Sequence, residues 1–218
     1  MMRVNELRIS AGSVALEGNL SLPDHPIALV LFAHGSGSSR HSPRNQFVAR
    51  TLNNAGLATL LFDLLTPKEE RTDARTAEHR FNISLLAERL VHATKWVKQQ
   101  EQTRDLRIGY FGSSTGGGAA LVATAEFPQA TAVVSRGGRP DLAGEALAKV
   151  QAPTLLIVGG EDDVVIELNE QARDRMRCEV QLEVVPGATH LFEEPGALER
   201  VAQLATDWFV KHIGSKQR

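Results

Sequence analysis

Short apolar runs separated by polar turns recur along the whole chain, and their period changes as the chain proceeds. Residues 4–9 and 14–22 alternate apolar and polar side chains on either side of Ser10-Ala11-Gly12-Ser13, which predicts an opening antiparallel hairpin. After it the alternation fades. Residues 27–33, 57–62, 107–111, 130–135 and 152–158 are mostly apolar, and 179–185 is a further strand-like run. Runs of this kind suit strands covered on both faces, as in a parallel sheet. Helical spacing falls between them, at 43–55, 81–99, from Thr115 onward, at 142–149 and near 166–175. Residues 195–213 form a long closing helix with Leu198, Val201, Leu204, Ala205, Trp208 and Phe209 on one stripe. The alternation predicts an α/β fold with a mostly parallel central sheet, helices on both faces and an N-terminal antiparallel hairpin. No insertion has the length of a large lid. Only 64–80 could act as a flap, and its charges predict a solvated surface.

At 218 residues the chain suits one domain, 1–218, with a sizeable core. With 24 basic and 26 acidic residues the net charge is −2, which gives no argument for nucleic acid or an anionic membrane as partner. No run approaches the roughly 20 apolar residues of a membrane span, and the N-terminus lacks the apolar core of a secretory signal. The single cysteine, Cys178, has no partner for an internal disulfide, which fits a reducing cytoplasm. Its surroundings suggest a structural thiol.

The chemistry begins at Gly112-Ser113-Ser114-Thr115-Gly116, between the run 107–111 and a helix. Strand, G-x-S-x-G, helix is the setting of a nucleophile elbow: small residues flank a serine lifted above the sheet edge, and the helix N-terminus beneath favours developing negative charge. Downstream, Gly159-Gly160-Glu161-Asp162-Asp163 follows one strand and Pro186-Gly187-Ala188-Thr189-His190 follows the next. Serine, acid and histidine thus stand in the chain order this chemistry requires. A serine hydroxyl is a weak nucleophile until an imidazole removes its proton, and a carboxylate fixes the imidazole tautomer. The tetrahedral intermediate needs two backbone N–H donors, expected from Thr115 and from Ser36 in the loop His34-Gly35-Ser36-Gly37. His34 reads as structural, because His190 already holds the base position. Asp141, before Leu142, reads as an ordinary helix start.

Arg136 and Arg139 flank Gly137-Gly138 at a strand end, with Arg40, Arg44 and Arg71 in other loops of the same edge. They could clamp a carboxylate or phosphate, or pair with nearby acids such as Asp141. No P-loop, dinucleotide fingerprint or metal-ligand spacing is present, so no cofactor is expected.

Phe32-Ala33-His34-Gly35-Ser36-Gly37, the elbow, Gly159-Gly160-Glu161-Asp162 and Gly187-Ala188-Thr189-His190-Leu191-Phe192-Glu193-Glu194-Pro195 resemble the α/β-hydrolases of the dienelactone hydrolase-like group over nearly the full length. Arg40-His41-Ser42-Pro43-Arg44-Asn45, the stretch 61–67 and Ser135-Arg136-Gly137-Gly138-Arg139-Pro140-Asp141 resemble a bacterial subgroup found fused to, or encoded near, phosphoribosyltransferase-like domains. The family spacing counted from Gly159 selects Asp162 as the acid and leaves Asp163 as a loop acid near a helix start. Dienelactone hydrolases proper carry a cysteine where this chain has Ser114, so the resemblance implies acyl chemistry rather than the dienelactone substrate. It implies a cofactor-independent serine hydrolase acting on an ester or thioester of a small molecule, with Ser114, Asp162 and His190 catalytic and a phosphoribosyltransferase-like partner. Acyl transfer to another acceptor, or a non-catalytic partner-binding module, are the alternatives.

Overall fold

The computed structural model describes residues 3–214, so the ends of the expected unit, 1–2 and 215–218, lie outside the described residues. β1 (Arg3–Ala11) and β2 (Val14–Leu22) pair antiparallel, with Ala11 opposite Val14 across a two-residue turn that Gly12 enters at φ 65°. Glycine meets no Cβ penalty at that angle. The other strands are β3 (Ala28–Ala33), β4 (Leu57–Phe62), β5 (Ile108–Ser113), β6 (Ala130–Arg136), β7 (Thr154–Gly159) and β8 (Val180–Val185). The sheet runs β1-β2-β4-β3-β5-β6-β7-β8; β2 meets β4 antiparallel, and every pair from β4 to β8 is parallel.

The apolar runs divide their side chains between two layers. In β3, Leu29, Leu31 and Ala33 join one core while Ala28, Val30 and Phe32 join the other. The first core is covered by α3 (Ile83–Val97) and α4 (Thr115–Glu126), the second by α1 (Pro43–Asn54) and α6 (Ala197–Ile213). Gly109 lets α6 lie close to β5, since a Cβ there would stand 2.7 Å from the Phe209 ring. Phe209 is itself fully buried; a ring of that size removed from water contributes about 1.5–3 kcal/mol. Among the described residues no helix is long and apolar enough to cross a membrane.

Three expectations need correction. Residues 64–80 are not simply a solvated flap: they contain α2 (Pro67–Thr76), and Leu64, Leu65 and Asp73 are buried. A capping box starts α2, with the Thr66 hydroxyl accepting from Glu69 N–H and Glu69 Oε2 accepting from Thr66 N–H. The helix expected at 142–149 is instead a run of 3₁₀ turns over Pro140–Lys149, broken at Gly144, where φ is 52°. α5 (Asp163–Arg175) begins earlier than the apolar spacing indicated, directly after Asp162.

β3 and β5 are neighbours, and the chain leaves β3 toward β4 on the opposite side. The order therefore reverses between β3 and β5, and the crevice outside the carboxyl ends of these strands is where such sheets bind ligands.

Candidate active site

Ser114 follows β5 at φ 51°, ψ −122°, a conformation that L-residues rarely adopt. The turn is held by Ser114 N–H donating to Arg136 O at 3.2 Å, and by Gly117 N–H and Arg139 N–H both donating to Ser114 O. Sterics dictate the flanking residues. A Cβ on Gly112 would stand 2.5 Å from Gly116 O, and one on Gly116 would stand 2.1 Å from Ala33 O. Ser114 is half-buried, whereas its neighbour Ser113 is buried and donates to Asn45 Oδ1 at 3.1 Å.

The two downstream loops are joined by backbone hydrogen bonds. Gly160 N–H donates to Val185 O and Glu161 N–H to Ala188 O, which brings the end of β7 against the end of β8. Across this seam His190 Nδ1 lies 2.6 Å from Asp162 Oδ2. A carboxylate can only accept, so Nδ1 carries the proton and Nε2 is left as the basic nitrogen of the ring. Gly137 packs beneath the imidazole: a Cβ there would stand 3.4 Å from His190 Cε1. Asp163 is exposed on the first turn of α5, and among the described residues the hydrogen bond and ion pair of His190 go to Asp162 and not to it. Ser114 and His190 line one pocket of about 180 Å³ with Ser36, Arg44 and Arg136. Among the described residues the Ser114 hydroxyl has no hydrogen-bond partner, so the serine shares the pocket with the histidine without being joined to it. Such bonds commonly tighten only when substrate is bound.

The β3 loop crosses directly over the elbow, a Cβ on Gly35 being 3.1 Å from the Ser114 Cβ. Ser36 Oγ lies 3.1 Å from Thr115 Oγ1 and donates to Arg80 O at 3.3 Å. Among the described residues neither the Ser36 nor the Thr115 N–H has an acceptor, and Thr115 opens α4. Two free amides, one of them opening a helix and the other from the β3 loop, can stabilise an oxyanion. His34 is committed elsewhere. Its Nε2 accepts from Leu64 N–H at 3.0 Å and its Nδ1 donates to Gly35 O at 2.9 Å; burial pushes its pKa down, outweighing the Gly35 carbonyl and the acids Asp63 and Glu70. A neutral ring with both nitrogens occupied ties the β3 loop to the segment after β4.

The structure separates the arginines. Arg139 forms a bidentate pair with Asp141, at 2.8 and 2.7 Å, and is not among the residues lining the pocket of Ser114. Arg40 pairs with Asp63, and Arg71 is exposed on α2. Arg136 and Arg44 are the two that line the pocket. Asn45, buried on α1 between Ser113 and Arg136, was not singled out from the sequence. The available signal was a polar residue on the side of α1 that Val48, Ala49 and Leu52 turn to the core. Cys178 is half-buried against the β-sheet core, and burial pushes its thiol up.

A family profile described as "Alpha/beta hydrolase domain" matches residues 26–213. A crystal structure of dienelactone hydrolase from Anabaena variabilis superposes with a TM-score of 0.96 at 57% identity, covering 97% of this chain and 99% of that one. Est1E from Butyrivibrio proteoclasticus superposes with a TM-score of 0.80 over 96% of this chain and 99% of its own, at 17% identity, and shares the fold. A Mycobacterium tuberculosis H37Rv protein, named as a candidate phosphoribosyl transferase, is 58% identical over 97% of this chain and 47% of its own length. The chain thus spans about half the length of the curated relatives it matches first.

Proposed function

The chain belongs to the alpha/beta hydrolase family, in its dienelactone hydrolase-like group, and from that premise we propose that it is a serine hydrolase cleaving an ester or thioester of a small molecule. The observation that carries the proposal is the 2.6 Å contact of His190 Nδ1 with Asp162, opening onto a pocket that the Ser114 elbow also lines.

The residues act in sequence. Ser114 Oγ attacks the acyl carbon while His190 Nε2 takes the hydroxyl proton. The carbonyl oxygen becomes an oxyanion against the Ser36 and Thr115 amides, and Asp162 stabilises the imidazolium without taking its proton. Collapse breaks the bond to the leaving alcohol or thiol, which receives the proton from His190 and departs, leaving the acyl group on Ser114. Water then attacks the acyl-enzyme, gives its proton to His190 and releases the free acid, and the proton returns to Ser114. No cofactor enters these steps.

The test is labelling with a fluorophosphonate followed by peptide mapping, together with release of acid and alcohol from simple acyl esters. Modification at Ser114 with turnover is the expected result. A well-folded protein that neither labels nor turns over would support the non-catalytic binding module instead. Transfer of the acyl group to an added alcohol faster than to water would make it an acyltransferase. Because relatives named for phosphoribosyl transfer are about twice as long, we further propose a phosphoribosyltransferase-like partner, and cytoplasmic action in keeping with the single cysteine.

A further inference from the structure

Arg136 ends β6 and is 6% exposed, at the base of the pocket that holds Ser114 and His190. Four other arginines of the packed structure each meet a carboxylate: Arg40 with Asp63, Arg80 with Asp73, Arg89 with Glu69 and Arg139 with Asp141. Arg136 meets none. Its polar contact is a long one, Nη2 to Asn45 Oδ1 at 3.5 Å, and its buried Nε has no partner. The guanidinium lies 5.8 Å from the centre of the Phe192 ring. Burial, and then the nearby Arg44 charge, pull its pKa down to about 10, so it is still charged at neutral pH. Arg44 adds a second guanidinium, shared at 2.8 Å with the exposed Glu193. A buried cation without a counter-ion is unfavourable, and one facing a catalytic pocket is completed by an anion from outside.

Resting on the serine hydrolase reading, we propose that this pocket receives an ester whose leaving alcohol carries a carboxylate or phosphate, bound by Arg136 with Arg44 at the rim. The leaving side follows from the proton's path. His190 protonates the departing oxygen, so the alcohol must occupy the pocket that His190 lines. The acyl group then takes the neighbouring cavity of about 230 Å³, which Ser36 and Thr115 border and which Leu64, Leu65 and Leu86 line. Glu70 and Asp73 also line that cavity, and its one lining guanidinium, Arg80, is already paired with Asp73 at 2.7 Å, so an anion is disfavoured there. Asn45 is a positioning residue, its Oδ1 accepting from both Ser113 and Arg136.

The experiment compares kcat/KM for 3-acetoxybenzoate and its neutral isostere 3-acetoxybenzamide, with 3-acetoxyphenyl phosphate as the phosphate arm. A charge-assisted bond predicts a preference of roughly ten- to a hundredfold for the anion. Arg136→Gln brings the ratio toward one, and Arg139→Gln, outside the pocket, leaves it unchanged. The faster of the two anionic esters identifies carboxylate or phosphate. Phenyl hydrogen succinate, with the charge on its acyl side, gains nothing over phenyl succinamate. Equal rates for charged and neutral leaving groups in the wild type overturn the proposal, as does a preference that survives Arg136→Gln. A preference confined to the succinate overturns the placement on the leaving side. Should Arg136→Gln fail to fold, the half-exposed Arg44→Gln replaces it, with the ratio reduced but not abolished. Calorimetry with 3-hydroxybenzoate keeps the two readings apart. Binding by the wild type and not by Arg136→Gln, in a protein that neither labels nor turns over, sustains the anion site and removes the hydrolase; turnover without such binding does the reverse.

Discussion

Asp162 stands at the N-cap of α5, yet its carboxylate lies 2.6 Å from His190 Nδ1 and caps no amide of that helix. An aspartate at this position ordinarily stabilises a helix by about 0.5–2 kcal/mol. That stabilisation is forgone here, which marks the side chain as serving the histidine. Asp162→Asn is expected to lower turnover by about 10³–10⁴-fold through loss of tautomer control. Its stability should change by less than about 1 kcal/mol, because the amide is free to cap α5. Asp163→Asn should cost about 0.3–1 kcal/mol at the helix N-terminus with little effect on turnover. Steady-state kinetics and thermal melts of the two variants check the pair; reversed effects would move the acid to Asp163.

The segment over the acyl-side cavity is expected to loosen in a graded way. Thr66→Ala removes one half of the capping box and should destabilise α2 by about 1 kcal/mol. Glu69→Ala should cost more, about 2 kcal/mol, because Glu69 Oε1 also accepts from the buried Arg89 at 2.8 Å and that cation would be left unpaired. Hydrogen exchange across residues 67–80 measures both. Equal protection in the two variants would show that the Arg89 pair adds nothing.

The sheet was readable because strands covered on both sides lose their polar positions, as Leu29 to Ala33 and Leu155 to Val158 do. α2 was not, because helices are recognised by an apolar stripe and Asp73 is its one buried residue. The usable signal there was local: Thr66, Pro67 and Glu69 at capping-box spacing. Gly144 shows the converse error, since helical spacing at 142–149 says nothing about a residue at φ 52° that breaks the run. In the site, strand-then-loop order placed Ser114, Asp162 and His190 on one edge, since position along a parallel sheet follows from sequence order. Which way a side chain leaves its loop does not. Arg136 and Arg139 are three residues apart, yet one enters the pocket and the other turns to Asp141, two residues away. Asp141 was the available clue.

His34 makes stability depend on pH in a defined direction. Its folded-state pKa lies below the unfolded value of about 6.5. Below that value the unfolded chain binds a proton that the native ring refuses, so stability is complete above it and declines as pH falls. His34→Gln keeps an acceptor for Leu64 N–H without a titratable group. The wild type should therefore lose more stability than this variant between pH 7 and 5, by up to about 1.4 kcal/mol per unit. His212, whose pKa burial also lowers, titrates in both proteins and cancels in the comparison. Melting curves at matched pH test this; parallel declines would show that His34 is not held neutral.

Ser114 combines the proposed nucleophile with a backbone at positive φ, and the two roles separate by substitution. Ser114→Ala should abolish fluorophosphonate labelling and turnover while leaving stability within about 0.5 kcal/mol, since one half-exposed hydroxyl without a partner contributes little. Ser113→Ala, in contrast, should still label, its hydroxyl being buried on Asn45. Ser114→Gly should be as inactive as Ser114→Ala but more stable. At φ 51°, ψ −122° an L-residue carries strain of about 1–3 kcal/mol that glycine does not. The extra freedom of glycine in the unfolded chain returns only about 0.4–1 kcal/mol of that. A net gain of roughly 0.5–2 kcal/mol over the alanine variant follows, opposite in sign to the usual cost of glycine. Denaturant melts of the two inactive proteins measure the difference directly. An alanine variant as stable as the glycine one would mean that the elbow stores no strain, and its positive φ would then be relaxed by the two hydrogen bonds that Ser114 O accepts from Gly117 and Arg139.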